Sequence, residues 1–276
     1  MKSNRLEKAV FFTVLSLFLL VILFPFYWQF VTSIKSDEEI WKIPPSLFPQ
    51  VTYWDNYVRI FKLHNFARYL WNSAMVASLT TIFSLIVGAF SAYALAKLKF
   101  RGKHLILSLV LSVSMFPPIA IAPSLFMTLK QMHMINTYWA LILPYTTFAL
   151  PLALWNLTAF FRQLPNELQE AARVDGCSFF QTFWKILLPL TAPGLFTTGI
   201  LVFIAAWNEF LFALTFTTED RMRTVPVGIA LFPGEYTAPW GQIAAASVVV
   251  TIPLVLLVLA FQRRIVAGLT AGAVKG

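Results

Sequence analysis

Six stretches of the chain run without a charged residue or a histidine: 9–34, 69–96, 105–129, 134–161, 186–208 and 236–262. Each is 23 to 28 residues long. A helix rising about 1.5 Å per residue needs roughly 20 residues to cross about 30 Å of hydrocarbon, so the pattern predicts an all-α membrane protein with six transmembrane helices. The runs are continuously apolar, whereas the strands of a membrane barrel alternate in segments of about ten residues. The first run is longer than the roughly 7 to 15 apolar residues of a secretory signal, and no small-residue cleavage pattern follows Ile34. It is therefore expected to remain as a first span.

Composition agrees. Of 276 residues 58% are hydrophobic and 12% charged, with 27 Phe and a mean hydropathy of +0.72. So few charged side chains could not cover a water-soluble fold of this size. The single cysteine, Cys177, excludes an intrachain disulfide, and His64, His104 and His133 are too scattered for a metal site.

Charge sets the orientation. With the N-terminus in the cytoplasm, the inner segments hold thirteen of the 21 Lys and Arg and the whole net charge of +9, as cytoplasmic loops should. Both termini are expected to be cytoplasmic. The basic residues form short clusters beside the spans, such as Lys97, Lys99, Arg101 and Lys103. That is the form of a topology signal, and nucleic-acid binding is not expected.

Three connections are long enough to carry structure of their own. In the outer segment 35–68, residues 53–62 interleave Tyr53, Trp54, Tyr57, Ile60 and Phe61 with Asp55, Arg59 and Lys62. They read as a short amphipathic helix at the interface, its aromatics serving as a headgroup belt or as a docking surface. Residues 209–235 end in a turn-forming group, Phe232 to Tyr236. The inner segment 162–185 carries no net charge. No repeat or low-complexity tract occurs, and residues 1–276 read as a single transmembrane domain.

The inner segment begins like a helix. Asn166 is a candidate cap, Glu167 and Glu170 suit a first turn, and Ala171 and Ala172 favour propagation. Gly176 stops it and permits a positive φ, and Ser178 can start a second helix through Phe179, Phe180, Phe183 and Trp184. Two short helices with a bend, too polar to insert and too apolar to float, should either dock on a cytoplasmic partner or rest on the inner leaflet.

The string E-A-A-R-V-D-G from Glu170 to Gly176, followed after nine residues by Ile186, Leu188 and Pro189, matches the E-A-A-x-x-x-G-x9-I-x-L-P motif of ABC importer permeases. Further likeness comes from Ile119 to Pro123, from Ala206-Trp207-Asn208-Glu209-Phe210 and from the C-terminal stretch Gln262 to Gly276. Over nearly its whole length the chain resembles the carbohydrate-importer permeases of the maltose and trehalose type. The resemblance implies the type I importer permease fold, and a coupling helix at about 162–185 seated in a cleft of a cytoplasmic ATPase. Glu170 would pair there with a basic residue, Ala171 and Ala172 would permit close approach, and Gly176 would form the bend. It also implies a bacterial or archaeal cytoplasmic membrane, a second and different permease as heterodimeric partner, two ATPase subunits that bind ATP and Mg, and an extracytoplasmic sugar-binding protein. The tail 268–276, with no periodic apolar face, reads alone as a mobile terminus; in similar permeases it reaches the ATPases.

The chain has no G-x4-G-K-[ST] phosphate loop, so it is not expected to be its own ATPase, and no cofactor or metal is expected on it. No predicted span holds an Asp, Glu, Lys or Arg near its middle, which counts against the alternative, half of an ion-coupled secondary transporter. Nor do the spans offer the positioned acids, bases and nucleophiles of an enzyme.

A sugar path needs aromatic faces and amides on one helix face. In span four Tyr145, Phe148, Leu152 and Asn156 share such a face, which would otherwise be helix packing. By resemblance, Trp207 and Asn208 of span five join the candidate path.

Overall fold

The structure, a computed structural model, describes residues 5–232 and 238–271. They are helical, with no strand among the described residues. In chain order the helices are α1 (Arg5–Ser33), α2 (Asp37–Ile40), α3 (Asp55–Lys62), α4 (Phe66–Lys97), α5 (Lys103–Val113), α6 (Pro118–Gln131), α7 (Trp139–Gln163), α8 (Glu167–Val174), α9 (Phe179–Thr182), α10 (Leu188–Leu190), α11 (Ala192–Trp207), α12 (Leu211–Phe216), α13 (Val225–Ala230) and α14 (Trp240–Ala271). A π-turn at Phe183–Leu187 joins α9 to α10.

Four helices, α1, α4, α7 and α14, are each long and apolar enough to cross a membrane. The other two uncharged runs are not continuous helices. α5 and α6 meet at 89°, and the stretch Phe179–Leu190 meets α11 at 76°. α11 has 16 residues, so it rises only about 24 Å and falls short of a full span. The cause lies in the prolines. Pro117 and Pro118 stand at the first break, Pro189 and Pro193 at the second, and each removes a backbone donor and crowds the preceding turn. Absence of charge reports the cost of transfer into lipid and is blind to backbone continuity.

The chain divides into two compact units, 1–66 with 229–252, and 67–228 with 253–276. In the first, Asn56 is 1% exposed and donates to the carbonyls of Ser33 (3.0 Å) and Lys35 (2.9 Å), satisfying acceptors that the end of α1 leaves open. α3 forms where an amphipathic helix was expected, and its buried side chains are Asn56 and Ile60. Trp54 and Phe61 stay exposed. Glu39, nearly buried, accepts from Ser46 Oγ (2.7 Å) and Gln50 N (2.9 Å). Burial alone would raise its pKa; those two hydrogen bonds, with Lys35 and Lys42 nearby, outweigh burial and hold it below the ordinary 4.5.

In the second unit α4 lies against α7 and α11 through small residues, the usual device where lipid removes the hydrophobic drive for helix association. At Gly88 of α4 an added Cβ would meet the Ala153 Cβ of α7 at 3.1 Å, and at Gly199 of α11 it would meet Leu85 Cδ1 of α4 at 3.1 Å. A cluster of Ala89, Ala92, Tyr93, Leu154, Leu157, Phe161, Phe183 and Leu187 forms the core at the end of α4.

Two expectations fall partly outside the described residues. The turn at Phe232–Tyr236 does so from residue 233 onward. α14 runs to Ala271, so Gly268 to Ala271 continue a helix instead of starting a loose tail, and 272–276 are not described.

Candidate functional site

The motif-bearing loop is two helices around one turn. α8 ends at Val174, and Gly176 follows at φ +76°. Its N–H is bonded to Arg173 O, and Cys177 N reaches back to Ala172 O. A left-handed residue at this point is what glycine tolerates and other residues resist. Ser178 then restarts the chain with a complete capping box, its Oγ accepting from Gln181 N and its own N–H donating to Gln181 Oε1. Asn166 does not act as the cap expected of it. Its backbone is already helical, which turns the side chain away from the N–H groups of the first turn, and Oδ1 accepts from Lys97 Nζ at 2.9 Å.

Lys97 is one of two grips by which α4 holds the loop. Its ammonium also donates to Leu164 O. The other grip is Tyr93, whose hydroxyl accepts from Gln169 Nε2 at 2.7 Å with both side chains buried. Tyr93 packs in turn on Phe179 (4.8 Å between centroids) and Phe183 (5.3 Å), and Phe90 stacks on Phe183 at 4.5 Å. In the sequence Lys97 reads only as part of a basic topology cluster, and Tyr93 and Gln169 carry no expected role. The signal available was a tyrosine in an apolar span and the three-residue spacing of Gln169 and Ala172, which puts both on the buried face of α8.

That packing sorts the motif residues. Ala172 is 1% exposed, so its small side chain serves close approach within the chain itself and is not available to a partner as expected. Glu170 and Ala171 are exposed. Val174 (88% exposed), Phe180 and Trp184 also face outward, as do Glu167, Arg173 and Asp175, so the free side of the loop mixes apolar and charged groups.

Between α7 and α11 lies a cavity of about 200 Å³. Tyr145, Phe148 and Leu152, expected to share a face, line it together with Ala206, Glu209 and Phe212. Asn156 is not among its lining residues. Trp207 and Asn208 are not either. Trp207 is buried against Phe203 (5.6 Å between centroids), and the Asn208 amide donates back to Ile204 O at 2.8 Å. Glu209, one residue further on, enters the sequence reading only through the Ala206–Phe210 likeness, yet it lines the cavity. Its carboxylate accepts from Phe212 N (2.8 Å) and Ala213 N (3.1 Å), fixing it at the start of α12.

Apolar helices long enough to cross a membrane, two broken apolar runs and an exposed motif loop held on the end of one span mark the chain as a membrane protein. Over residues 84–270 the chain matches the binding-protein-dependent transport system inner membrane components, and it belongs to that family. It is 46% identical to the trehalose/maltose transport system permease protein MalG of Thermococcus litoralis, covering 100% of both chains. It is 45% identical to the trehalose transport system permease protein SugB of Mycobacterium tuberculosis over 92% of this chain and 93% of that one. To the sulfoquinovosyl glycerol transport system permease protein SmoH of Agrobacterium fabrum the identity is 42%, over 98% and 94%. Among solved structures, a chain of a bacterial ABC transporter involved in import of the polysaccharide alginate shares the fold, with a TM-score of 0.79 at 22% identity over 95% of this chain and 98% of that one. The protein is thus a multi-pass inner membrane subunit of a binding-protein-dependent ABC transporter, working with an ATPase and a periplasmic binding protein. Subunits of this kind are not catalytic.

Proposed function

We propose that the chain is the translocating subunit of a sugar importer, carrying a disaccharide or small oligosaccharide such as trehalose or maltose by alternating access. It pairs with a second, different permease and two ATPase subunits that bind ATP and Mg, and receives sugar from an extracytoplasmic binding protein. Both termini lie in the cytoplasm, which puts α8 and α9 there as the coupling helices. Glu170 pairs with a basic group of the ATPase, Ala171 allows contact with it, and Gly176 holds the angle between the two helices. When the ATPases close on ATP, the loop moves with them, and the grips at Tyr93 and Lys97 draw α4 along. The cavity wall formed by Tyr145, Phe148 and Leu152 belongs to the sugar path.

The observation that carries this reading is the mounting of the loop. A surface helix resting on lipid needs no buried Gln169–Tyr93 bond (2.7 Å) and would turn Val174, at 88% exposed, toward the membrane. Here one side of the loop is locked to the chain's own span and the other presents Glu170 together with exposed apolar groups and further charges. That combination suits a protein interface, where a charge-assisted pair gives specificity. The sugar class rests on the relatives at 42–46% identity.

The test is reconstitution of the whole complex with its binding protein, and a scan of sugars for stimulated ATP hydrolysis and uptake. Trehalose or maltose should stimulate both; stimulation only by an amino acid or a metal ion would refute the sugar assignment. Cysteines placed singly at positions 99 and 220 check the orientation. An impermeant thiol reagent outside the cell should label 220 and spare 99.

A further inference from the structure

The cavity between α7 and α11 holds two polar groups of opposite hydrogen-bonding character. Tyr145 is 4% exposed, and its hydroxyl has no partner of standard geometry. A buried hydroxyl left in that state is costly, and in a working protein it calls for an explanation. It interacts electrostatically with Glu209, whose carboxylate is on the same cavity wall. Glu209 is fixed by the two backbone N–H groups of Phe212 and Ala213. A carboxylate offers about four acceptor positions; the two N–H groups take two, and the Tyr145 hydroxyl, bonded to this carboxylate only in a loose geometry, draws on a third. The rest of the lining is apolar, with the Phe148 and Phe212 rings 5.3 Å apart between centroids.

We infer that Tyr145 and Glu209 form a clamp for the hydroxyl groups of a neutral sugar, and that Glu209 makes the path select against anionic cargo. This rests on the sugar-importer reading and adds to it a specificity residue. The chemistry is complementary. A sugar hydroxyl can accept from the phenol and donate to the carboxylate at once, while its C–H faces lie on the phenylalanine rings. A uronate or sulfonate in the same place would bring a second negative charge beside Glu209, a like-charge repulsion that the apolar remainder of the lining does nothing to offset. The cavity, at about 200 Å³, is of the size of one sugar ring, so the cargo would pass one ring at a time.

The experiment measures equilibrium binding of trehalose and of glucuronate to the purified complex, without the binding protein so that its own selection is absent. The wild-type complex should bind trehalose and reject glucuronate. Glu209→Gln keeps an acceptor for the Phe212 N–H but removes the charge, and should reduce the preference for trehalose over glucuronate by about tenfold or more. Tyr145→Phe, which removes one oxygen and no packing, should weaken trehalose binding by about tenfold and leave the preference in place. Failure of the wild-type complex to bind trehalose, or unchanged binding and preference in both variants, would overturn the clamp. If those same complexes still take up sugar delivered by the binding protein, the importer reading survives and only the clamp falls. If they take up no sugar at all, the importer reading falls with it.

Discussion

The bend between α5 and α6 and the bend before α11 both arise at prolines inside uncharged runs, yet their surroundings differ. At the first, α5 has no buried residue, and Met115 and Phe116 are 83% and 61% exposed. At the second, Phe183 and Leu187 are fully buried, Thr191 is 2% exposed, and the rings of Phe90, Tyr93 and Phe161 close around Phe183. One bend is packed by the chain itself; the other is left for lipid or another subunit to cover. Proline opens a helix in both places, but only packing fixes the angle. A packed bend can transmit a displacement of the coupling loop, because interiors as dense as crystals shift between discrete arrangements and do not deform smoothly.

The comparison is broken most directly by removing a ring from each bend. Phe183→Ala should cost roughly 3 to 5 kcal/mol, the usual range for a buried phenylalanine, and lower the unfolding midpoint of the purified complex sharply. Phe116→Ala should stay within about 0.5 kcal/mol. Equal losses would mean that the first bend is packed after all.

The next largest effect is expected at Glu170, the exposed charge carried by the packed bend. A carboxylate on a solvated surface changes stability little when removed. One buried against a partner's cation leaves that cation unpaired, at a cost of about 2 to 5 kcal/mol of association. Glu170→Ala should therefore insert normally and bind the ATPase roughly 30-fold or more weakly, as read by co-purification. Glu170→Lys should be worse, and a compensating acidic substitution on the ATPase should restore part of the loss. Full ATPase content in the Glu170→Lys complex together with normal uptake would reduce the loop to a surface helix.

A matched pair of glycines sharpens the contrast further. Gly176 at φ +76° precedes the packed bend and Gly102 at φ +87° precedes the open one, and an added Cβ meets nothing within 4 Å at either. Any penalty is therefore one of backbone alone. Gly176→Val and Gly102→Val should each cost about 1 kcal/mol or more. Only the first should abolish sugar-driven uptake, because only it alters the angle at which the coupling helices are held.

These contrasts explain what was legible in the sequence. The apolar membrane runs, the bend at Gly176 and the cap at Ser178 could be read from residue type and spacing, because transfer cost, left-handed backbone and capping are local properties. So could the shared face of Tyr145, Phe148 and Leu152. The breaks at Pro117 and Thr191 were missed because counting charges gives no weight to prolines. Which bend is packed was not readable either, since it depends on Phe183 meeting Phe90 and Tyr93 from a helix some ninety residues earlier. The same holds for Gln169 on Tyr93 and for Glu209 in the cavity. The carboxylate could be seen in the sequence; the direction it faces is set by α12.

The smallest effect concerns acid, and it asks whether charge has any share in the packed bend. Phe179–Trp207 contains no Asp, Glu or His, so lowering the pH should leave the angle of the packed bend unchanged. The outer segment provides the contrast through Glu39. Its pKa in the folded protein lies below the ordinary 4.5. A carboxyl lowered by folding contributes stability that is complete above its unfolded value and is lost as the pH falls through the folded one. Amide protection at Gln50, corrected for intrinsic exchange, should therefore hold from neutrality down to about pH 4.5 and decline below it, while protection in α4 beside the packed bend stays level. Glu39→Gln should remove the pH dependence at Gln50. A parallel decline in α4 would mean that a titrating group, and not the aromatic packing, holds the second bend.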